Sequence, residues 1–303
     1  MEEKYHTPVM VQEVLRYLNP SPGMVIADAT AGTGGHTGVL LERILPGGRV
    51  IALDRDRDTL EVCRRRLRGY GEACTFVHAN YADIDKVLES CGLEKIDALL
   101  FDLGISSFQL DDPERGFSFQ AQGPLDMRLD RTSYISASDL LNNLTEKEIS
   151  TILRNFGQER WHARIARNLV RQRQHAPLAT TTQLAELVIR SIPARYRRAH
   201  YRIHPATRTF QAVRIAVNRE LETLELSLRK ALGLLKPEGV ICVISFHSLE
   251  DRIVKQVFRQ QAREGEVEIL TPKPLTPLPA QVQENPRARS SKLRAVRRIC
   301  KGH

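Results

Sequence analysis

Three acidic residues, each directly after a short apolar run, are the side chains whose placement best suits ligand chemistry. Asp28 ends the first run, Asp54 the second and Asp102 the fourth. Helical patterns separate these runs, and strands that alternate with helices form a parallel sheet. Ligands of open α/β sheets bind at the carboxyl ends of the strands, so we expect the three carboxylates to share one edge.

A glycine-rich segment follows the first of these acids. It runs Asp28-Ala-Thr-Ala-Gly32-Thr-Gly34-Gly35-His36, between a predicted strand and a predicted helix. Glycine lets a backbone approach a ligand closely, and a helix N-terminus offers unpaired N–H groups. Asp54, at the next strand end, is placed to accept the ribose hydroxyls of a nucleoside. The segment therefore predicts a nucleoside-type cofactor.

Two classes of cofactor use such a loop. A dinucleotide site has the pattern G-x-G-x-x-G, and Thr37 stands where its third glycine should be. Asp28 precedes the first glycine by four residues, which suits the ammonium group of an aminoacyl ligand better than a pyrophosphate. We therefore expect S-adenosylmethionine rather than NAD. The contacts expected on these grounds are Asp28, Gly32, Gly34 and Asp54.

Composition limits the partners and the location. The chain has 303 residues and a formal net charge of +9, and an arginine excess suits a polyanion such as nucleic acid. Its five cysteines form no C-x-x-C pair, so neither a disulfide framework nor a metal site is predicted. Apolar runs are too short to span a bilayer, which predicts a cytoplasmic protein without a membrane partner. The oligomeric state, monomer or dimer, stays open.

The pattern along the chain changes after about Leu110. Only helices are predicted from Ser136 to Ile192, and the α/β pattern then resumes with one long helix from Thr207 through Leu232. We predict an α/β core formed by residues 1–112 and 206–303, with residues 113–205 inserted as an all-helical substrate-recognition domain.

Arginines predict an RNA surface on this insertion. Four recur at helical spacing along a predicted helix from Glu159 to Gln174, and a second group alternates with Tyr196 and Tyr201. A merely solvated arginine face is the alternative, which spacing alone does not exclude. The expected RNA-binding residues are Arg160, Arg164, Arg167, Arg171, Arg195, Arg197, Arg198, Arg202 and Arg208.

Several longer blocks, spread over nearly the whole chain, match one known family. They are His6–Val9, Gly32–His36, Asp102–Ser107, Gln109–Phe119, Gly123–Arg128, His204–Ala212, Ile244–Arg252 and Asn285–Ser291. On these blocks the chain resembles the bacterial 16S ribosomal RNA (cytosine-N4) methyltransferases. The resemblance implies a class I, Rossmann-like, S-adenosylmethionine-dependent core with an inserted helical domain. It also implies a partner, which is 16S ribosomal RNA or the small ribosomal subunit.

The resemblance also implies an activity and a set of contacts. The activity is methylation of the exocyclic N4 amine of one cytidine in the decoding region. From its own place at the end of the fourth strand, Asp102 is the predicted catalytic residue, accepting a hydrogen bond from this amine. An aromatic that stacks on the base is left open between Phe108 and Phe119. For Tyr81, a place beside the adenine and a place in the core are both open. The implied cofactor contacts are Gly34, Gly35, His36, Asp54, Tyr81, Asp102 and Gln109.

Three other functions are compatible with parts of this pattern. A methyltransferase for a protein or small molecule would not need the arginine stripe. An NAD-dependent oxidoreductase would need the missing third glycine. An RNA-binding module without catalysis would not need all three strand-end acids. We therefore expect an RNA methyltransferase.

Overall fold

The computed structural model describes residues 8–197 and 204–300. The chain divides into two compact units, the first formed by residues 1–106 and 221–303 and the second by Ser107–Glu220. The predicted boundaries at 112 and 206 both fall inside the second unit. On the C-terminal side the reason is packing: a Cβ at Gly157 would lie 2.5 Å from the carbonyl oxygen of Arg208, so the helices that carry them touch.

A seven-stranded sheet forms the centre of the first unit, in the order β3-β2-β1-β4-β5-β7-β6. The first five strands are parallel, and β7 is antiparallel to both of its neighbours. Connections leave β1 and β4 in opposite directions along the sheet, which opens a crevice at their carboxyl ends. The strands are β1 (Val25–Asp28), β2 (Arg49–Asp54), β3 (Cys74–His78), β4 (Ile96–Asp102), β5 (Leu235–Ser245), β6 (Val267–Ile269) and β7 (Lys292–Arg298).

Helices cover both faces of this sheet, which explains why its central strands are apolar throughout. One core cluster includes Phe101, Ile51 and Leu228, and a second includes Leu100 and Leu40. The predicted α/β fold is thus confirmed. The helices of this unit are α1 (Val11–Leu18), α2 (Gly35–Ile44), α3 (Arg57–Arg66), α4 (Ile84–Ser90), α12 (Glu220–Leu234, whose first residue belongs to the second unit), α13 (Ser248–Arg263) and α14 (Pro279–Glu284).

The second unit is helical in its described part, apart from a single β-bridge between Pro124 and Thr180. A capping box of Thr145 and Glu148 is present at the start of α7. Its helices are α5 (Ser107–Asp111), α6 (Ala137–Asn143), α7 (Glu146–Gly157), α8 (His162–His175), α9 (Thr181–Ser191), α10 (Ala194–Arg197) and α11 (Thr207–Asn218).

Two predicted helices differ from the structure. The long helix from Thr207 breaks at Arg219, whose φ of 50° is left-handed. The preceding Asn218 turns its amide inward, where it accepts from the Leu129 N–H and donates to the Met127 carbonyl. The predicted helix from Glu159 begins three residues later, at His162.

The described residues include no helix long and apolar enough to cross a membrane.

Candidate active site

The loop between β1 and α2 is organised by Asp28. This side chain is 1% exposed, and its two oxygens accept from the Thr37 hydroxyl at 2.7 Å and the Thr30 N–H at 3.2 Å. Burial raises its pKa, although the Thr37 hydrogen bond opposes the shift. In this structure Asp28 holds the loop, and its predicted contact with an ammonium group stays a prediction.

The glycines of this loop have different surroundings. Gly32 has a φ of 54°, and a Cβ there would meet only one atom, the Thr30 carbonyl oxygen at 3.9 Å. Gly34 has a φ of 84°, and its Cβ would lie 2.9 Å from Sγ of Cys63. Gly35 begins α2, and its Cβ would lie 3.1 Å from Pro8. Gly32 thus borders open space, whereas Gly34 and Gly35 fix the loop against its neighbours.

Asp54 connects this loop to the end of β2. Its Oδ2 accepts from the Gly32 N–H and its Oδ1 from the Asp56 N–H, both at 2.8 Å. Asp56 in turn caps α3 by accepting from two backbone N–H groups. Burial raises the pKa of Asp54 to about 6, against the effect of these two bonds. The acid predicted to bind ribose therefore lies beside the open glycine.

Asp102 lies at the end of β4, next to the loop after β1. Its backbone N–H donates to the Thr30 hydroxyl at 2.6 Å, which joins β4 to that loop. Its carboxylate is 20% exposed, and Oδ2 lies 3.5 Å from Nε2 of the buried His36. The structure thus brings Asp28, His36 and Asp102 into one charged cluster.

Two further predicted contacts, Tyr81 and Gln109, lie in different units of the chain. Tyr81 is 8% exposed and its ring packs edge-on against Phe101, with centroids 5.7 Å apart. It belongs to the core cluster, as one of the two readings of the sequence had it. Gln109 lies on α5 in the second unit. Its predicted cofactor contact stays a prediction.

Three of the four arginines that were predicted to share one helical face lie on α8. Arg160 precedes α8, so it does not share a helical face with the others; instead its guanidinium lies 5.0 Å from the Trp161 ring and 5.2 Å from the Tyr196 ring. Arg164, Arg167 and Arg171 are exposed along α8, and Arg167 lies 3.6 Å from Glu146.

The remaining predicted arginines are less informative. Arg208 is exposed on α11 and donates to the Gln158 carbonyl at 3.3 Å. The side chains of Arg195 and Arg197, and all of Arg198 and Arg202, lie outside the described residues. The predicted RNA contacts of these five arginines stay predictions.

One of the two candidate stacking aromatics is packed within the second unit. Phe119 stacks on His204, with ring centroids 4.4 Å apart, and meets Phe210 edge-on. Phe108 is 43% exposed. Neither position decides which ring, if either, stacks on a base.

Sequence reasoning missed the residues that support the strand-end acids. Thr30 and Thr37 provide two of the bonds that fix Asp28, and Thr30 also holds Asp102. A threonine hydroxyl is a weak signal, and the partner of the Thr30 hydroxyl comes from another strand, β4. The helix after β5 is capped by His247, whose Nδ1 accepts from the Glu250 N–H.

Comparison with known proteins places the chain among methylases. A model of the MraW methylase family matches residues 3–299. The chain belongs to this family. Ribosomal RNA small subunit methyltransferase H of Pelobacter propionicus is 47% identical over 97% of this chain and 98% of its own length. The protein of the same name from Syntrophotalea carbinolica is also 47% identical, with the same coverage of both chains.

The family assignment confirms the resemblance on which the sequence prediction was based. A known structure, an rRNA methylase from Streptococcus thermophilus, is 12% identical, has a TM-score of 0.45 and covers 96% of this chain and 94% of its own.

Proposed function

We propose that this methylase transfers a methyl group from S-adenosylmethionine to the N4 amine of a cytidine in 16S ribosomal RNA. Membership of the MraW family over nearly the whole chain supports methyl transfer, and the names of its relatives support a ribosomal substrate. Within the molecule, the observation that carries the proposal is the bond between Asp54 and the Gly32 N–H at the sheet edge.

The residues at this edge suit S-adenosylmethionine. The space beside Gly32 admits a ligand close to the backbone, and the partly exposed Asp54 can accept ribose hydroxyls. One buried acceptor, Oδ1 of Asp102, has no hydrogen-bond partner among the described residues. Bound there, S-adenosylmethionine supplies a methyl group that its positive sulfur already activates. The proposed contacts are Asp28, which also holds the loop, Gly32, Gly34, Gly35, His36, Asp54, Tyr81, Asp102 and Gln109.

The chain's own part in the reaction is positioning and hydrogen bonding. The N4 lone pair of cytosine is delocalised into the ring, so the amine is a weak nucleophile. A carboxylate that accepts from its N–H localises electron density on nitrogen and fixes its direction of attack. Asp102 is the proposed acceptor, because it ends β4 at the sheet edge with part of its carboxylate open. A paired base would have to leave its stack to reach it.

The exposed arginines of α8, Arg164, Arg167 and Arg171, are the proposed phosphate contacts. Arg160 stacks on Trp161 and Tyr196, and so offers a cation and two rings at one place. Because ribosomal subunits are assembled in the cytoplasm, we propose that the methylation of 16S ribosomal RNA takes place there.

The decisive experiment is mass spectrometry of nucleosides from ribosomal RNA that lacks this modification, treated with the protein and S-adenosylmethionine. Naked 16S RNA and intact small subunits are assayed in parallel, so that the substrate form is determined as well. We expect N4-methylcytidine with the wild-type chain, and a rate lower by about 100-fold or more with Asp102→Asn. Methylation of another base, or of no RNA, would contradict the proposed function.

A further inference from the structure

His36 and Asp102 form a pair with one buried and one open end. His36 is 6% exposed in the first turn of α2, and Asp102 is 20% exposed. Nε2 of His36 is 3.5 Å from Oδ2 of Asp102. Among the described residues, Nε2 of His36 and Oδ1 of Asp102 are buried and have no hydrogen-bond partner. Such atoms are rare in folded proteins, so the pair is suited to a proton or a donor that the unliganded fold does not provide.

The other ring nitrogen determines which proton His36 carries. The Val9 carbonyl stabilises the charged ring, and Nε2 has no hydrogen-bond partner among the described residues, so we assign Nδ1–H as the donor to Val9. In a neutral ring, Nε2 is then a lone pair that faces a carboxylate. A proton between Nε2 and Oδ2 removes this repulsion.

The charges around the ring favour that proton. Burial acts to lower the pKa of His36, and the free N–H groups at the start of α2 act in the same direction. The net shift of the pKa is nevertheless upward, because Asp102, then Asp28, and the Val9 carbonyl stabilise the charged ring. The pair in the unliganded protein therefore holds a proton more readily than an ordinary histidine does.

We propose that the His36–Asp102 pair takes up the proton that the target amine releases during methyl transfer. Asp102 contacts the amine, and Nε2 of His36 finally holds the proton. The inference rests on the proposed function. Transfer forms an N–C bond, breaks a C–S bond whose electron pair stays on sulfur, and leaves one amine proton to be removed. The positive charge lost from sulfur is replaced by one on the ring, so the net charge of the site is unchanged.

This charge balance has a consequence for ligand binding. A ligand with a positive sulfur competes with the proton for the same carboxylates, so its binding displaces the proton from the pair. The uncharged thioether S-adenosylhomocysteine leaves the proton in place. The two ligands should therefore differ in the protons they release, although they share nearly all of their contacts.

The test measures proton release by the whole protein. Isothermal calorimetry in buffers of different ionisation enthalpy counts the protons exchanged on binding each ligand. Near pH 7, we expect S-adenosylmethionine to release up to about one proton more than S-adenosylhomocysteine. Ring C–H signals in NMR spectra then follow His36 directly: charged in the free protein and with S-adenosylhomocysteine, neutral with S-adenosylmethionine.

Two variants separate a proton-holding role from a structural one. In His36→Gln the difference between the two ligands should vanish, and the pH profile of kcat should lose the limb that belongs to this group. The control His175→Gln, at the exposed end of α8, should keep both. If His36→Gln does not fold, the wild-type NMR experiment decides.

Equal proton release by both ligands, or a ring that is neutral in the free protein, would overturn the inference. Absence of binding by either ligand would instead refute the proposed function, and with it the inference.

Discussion

Asp54 makes opposite contributions to ligand binding and to stability. Its pKa is raised from 3.8 to about 6 because it is buried. The ionised form, which accepts ribose hydroxyls, therefore predominates above about pH 6. In the unliganded protein that ionised form is costly, so the stability contributed by Asp54 is greatest at low pH and falls as pH rises between 3.8 and about 6.

The binding side of this behaviour is measurable with S-adenosylhomocysteine, which carries no charge on sulfur. We expect its affinity to fall as pH drops through about 6, by up to tenfold per pH unit, because Asp54 becomes protonated. In Asp54→Asn the affinity at pH 7 should be lower and nearly independent of pH. Calorimetric titrations from about pH 5 to about pH 7.5, a range that includes this pKa of about 6, check both results. An equally steep pH dependence in the variant would assign the effect to another group.

The strand-end acids could be predicted from the sequence, whereas their partners could not. Asp28, Asp54 and Asp102 each follow an apolar run, and that periodicity is local. The hydrogen bond of Thr30 to Asp102 and the approach of His36 to the Asp102 carboxylate join segments separated by β2, β3 and their helices. Such contacts depend on which strands become neighbours, which no local pattern specifies.

At the scale of elements, Gly34 fixes how α2 begins. Its φ is 84°, and an added Cβ would lie 2.9 Å from Sγ of Cys63 and 3.0 Å from Cδ1 of Leu67. We expect Gly34→Ala to destabilise the protein by about 2 kcal/mol, through left-handed strain and crowding against α3. Urea denaturation of the two proteins measures this difference.

Gly233 provides the matched control for this substitution. It lies in α12, with no positive φ and no atom within 4 Å of an added Cβ. Gly233→Ala should stabilise the protein by up to about 1 kcal/mol, because alanine loses less entropy in a helix. A destabilisation of similar size in both variants would mean that the loop geometry is not the cause.

Helices and strands were predictable where the local apolar pattern alone determines where they begin and end. Strands β2 and β4 end at the predicted acids, Asp54 and Asp102, because both are buried apolar runs. The break at Arg219 was not predictable, since Leu221 and Leu224 continue the apolar spacing of the preceding helix. It arises from the long-range bonds of Asn218 to the segment around Met127.

For the whole molecule, the charge on α8 yields a prediction about RNA affinity. Arg164→Glu with Arg171→Glu should weaken RNA binding, and should lower the slope of log affinity against log salt by about 2, if both contact phosphates. Binding measured by filter retention at several salt concentrations gives the slope.

The control carries the same charge change on the first unit, as Arg259→Glu with Arg263→Glu on α13. These two arginines are also exposed and lie on one helix. Equal loss of slope in both double variants would attribute the effect to net charge and would contradict a specific surface on α8.

The pairing of β4 with β5 joins two stretches of chain that are separated by the whole second unit. Backbone bonds such as those between the Leu100 and Cys242 positions therefore hold together pieces that need not be covalently continuous. A protease that cleaves the polypeptide between Ser106 and Leu221 would leave two fragments that remain associated through their common sheet. Such a sample would run as two bands in detergent and elute as one species under native conditions, and the fragments would be candidates for complementation when expressed separately.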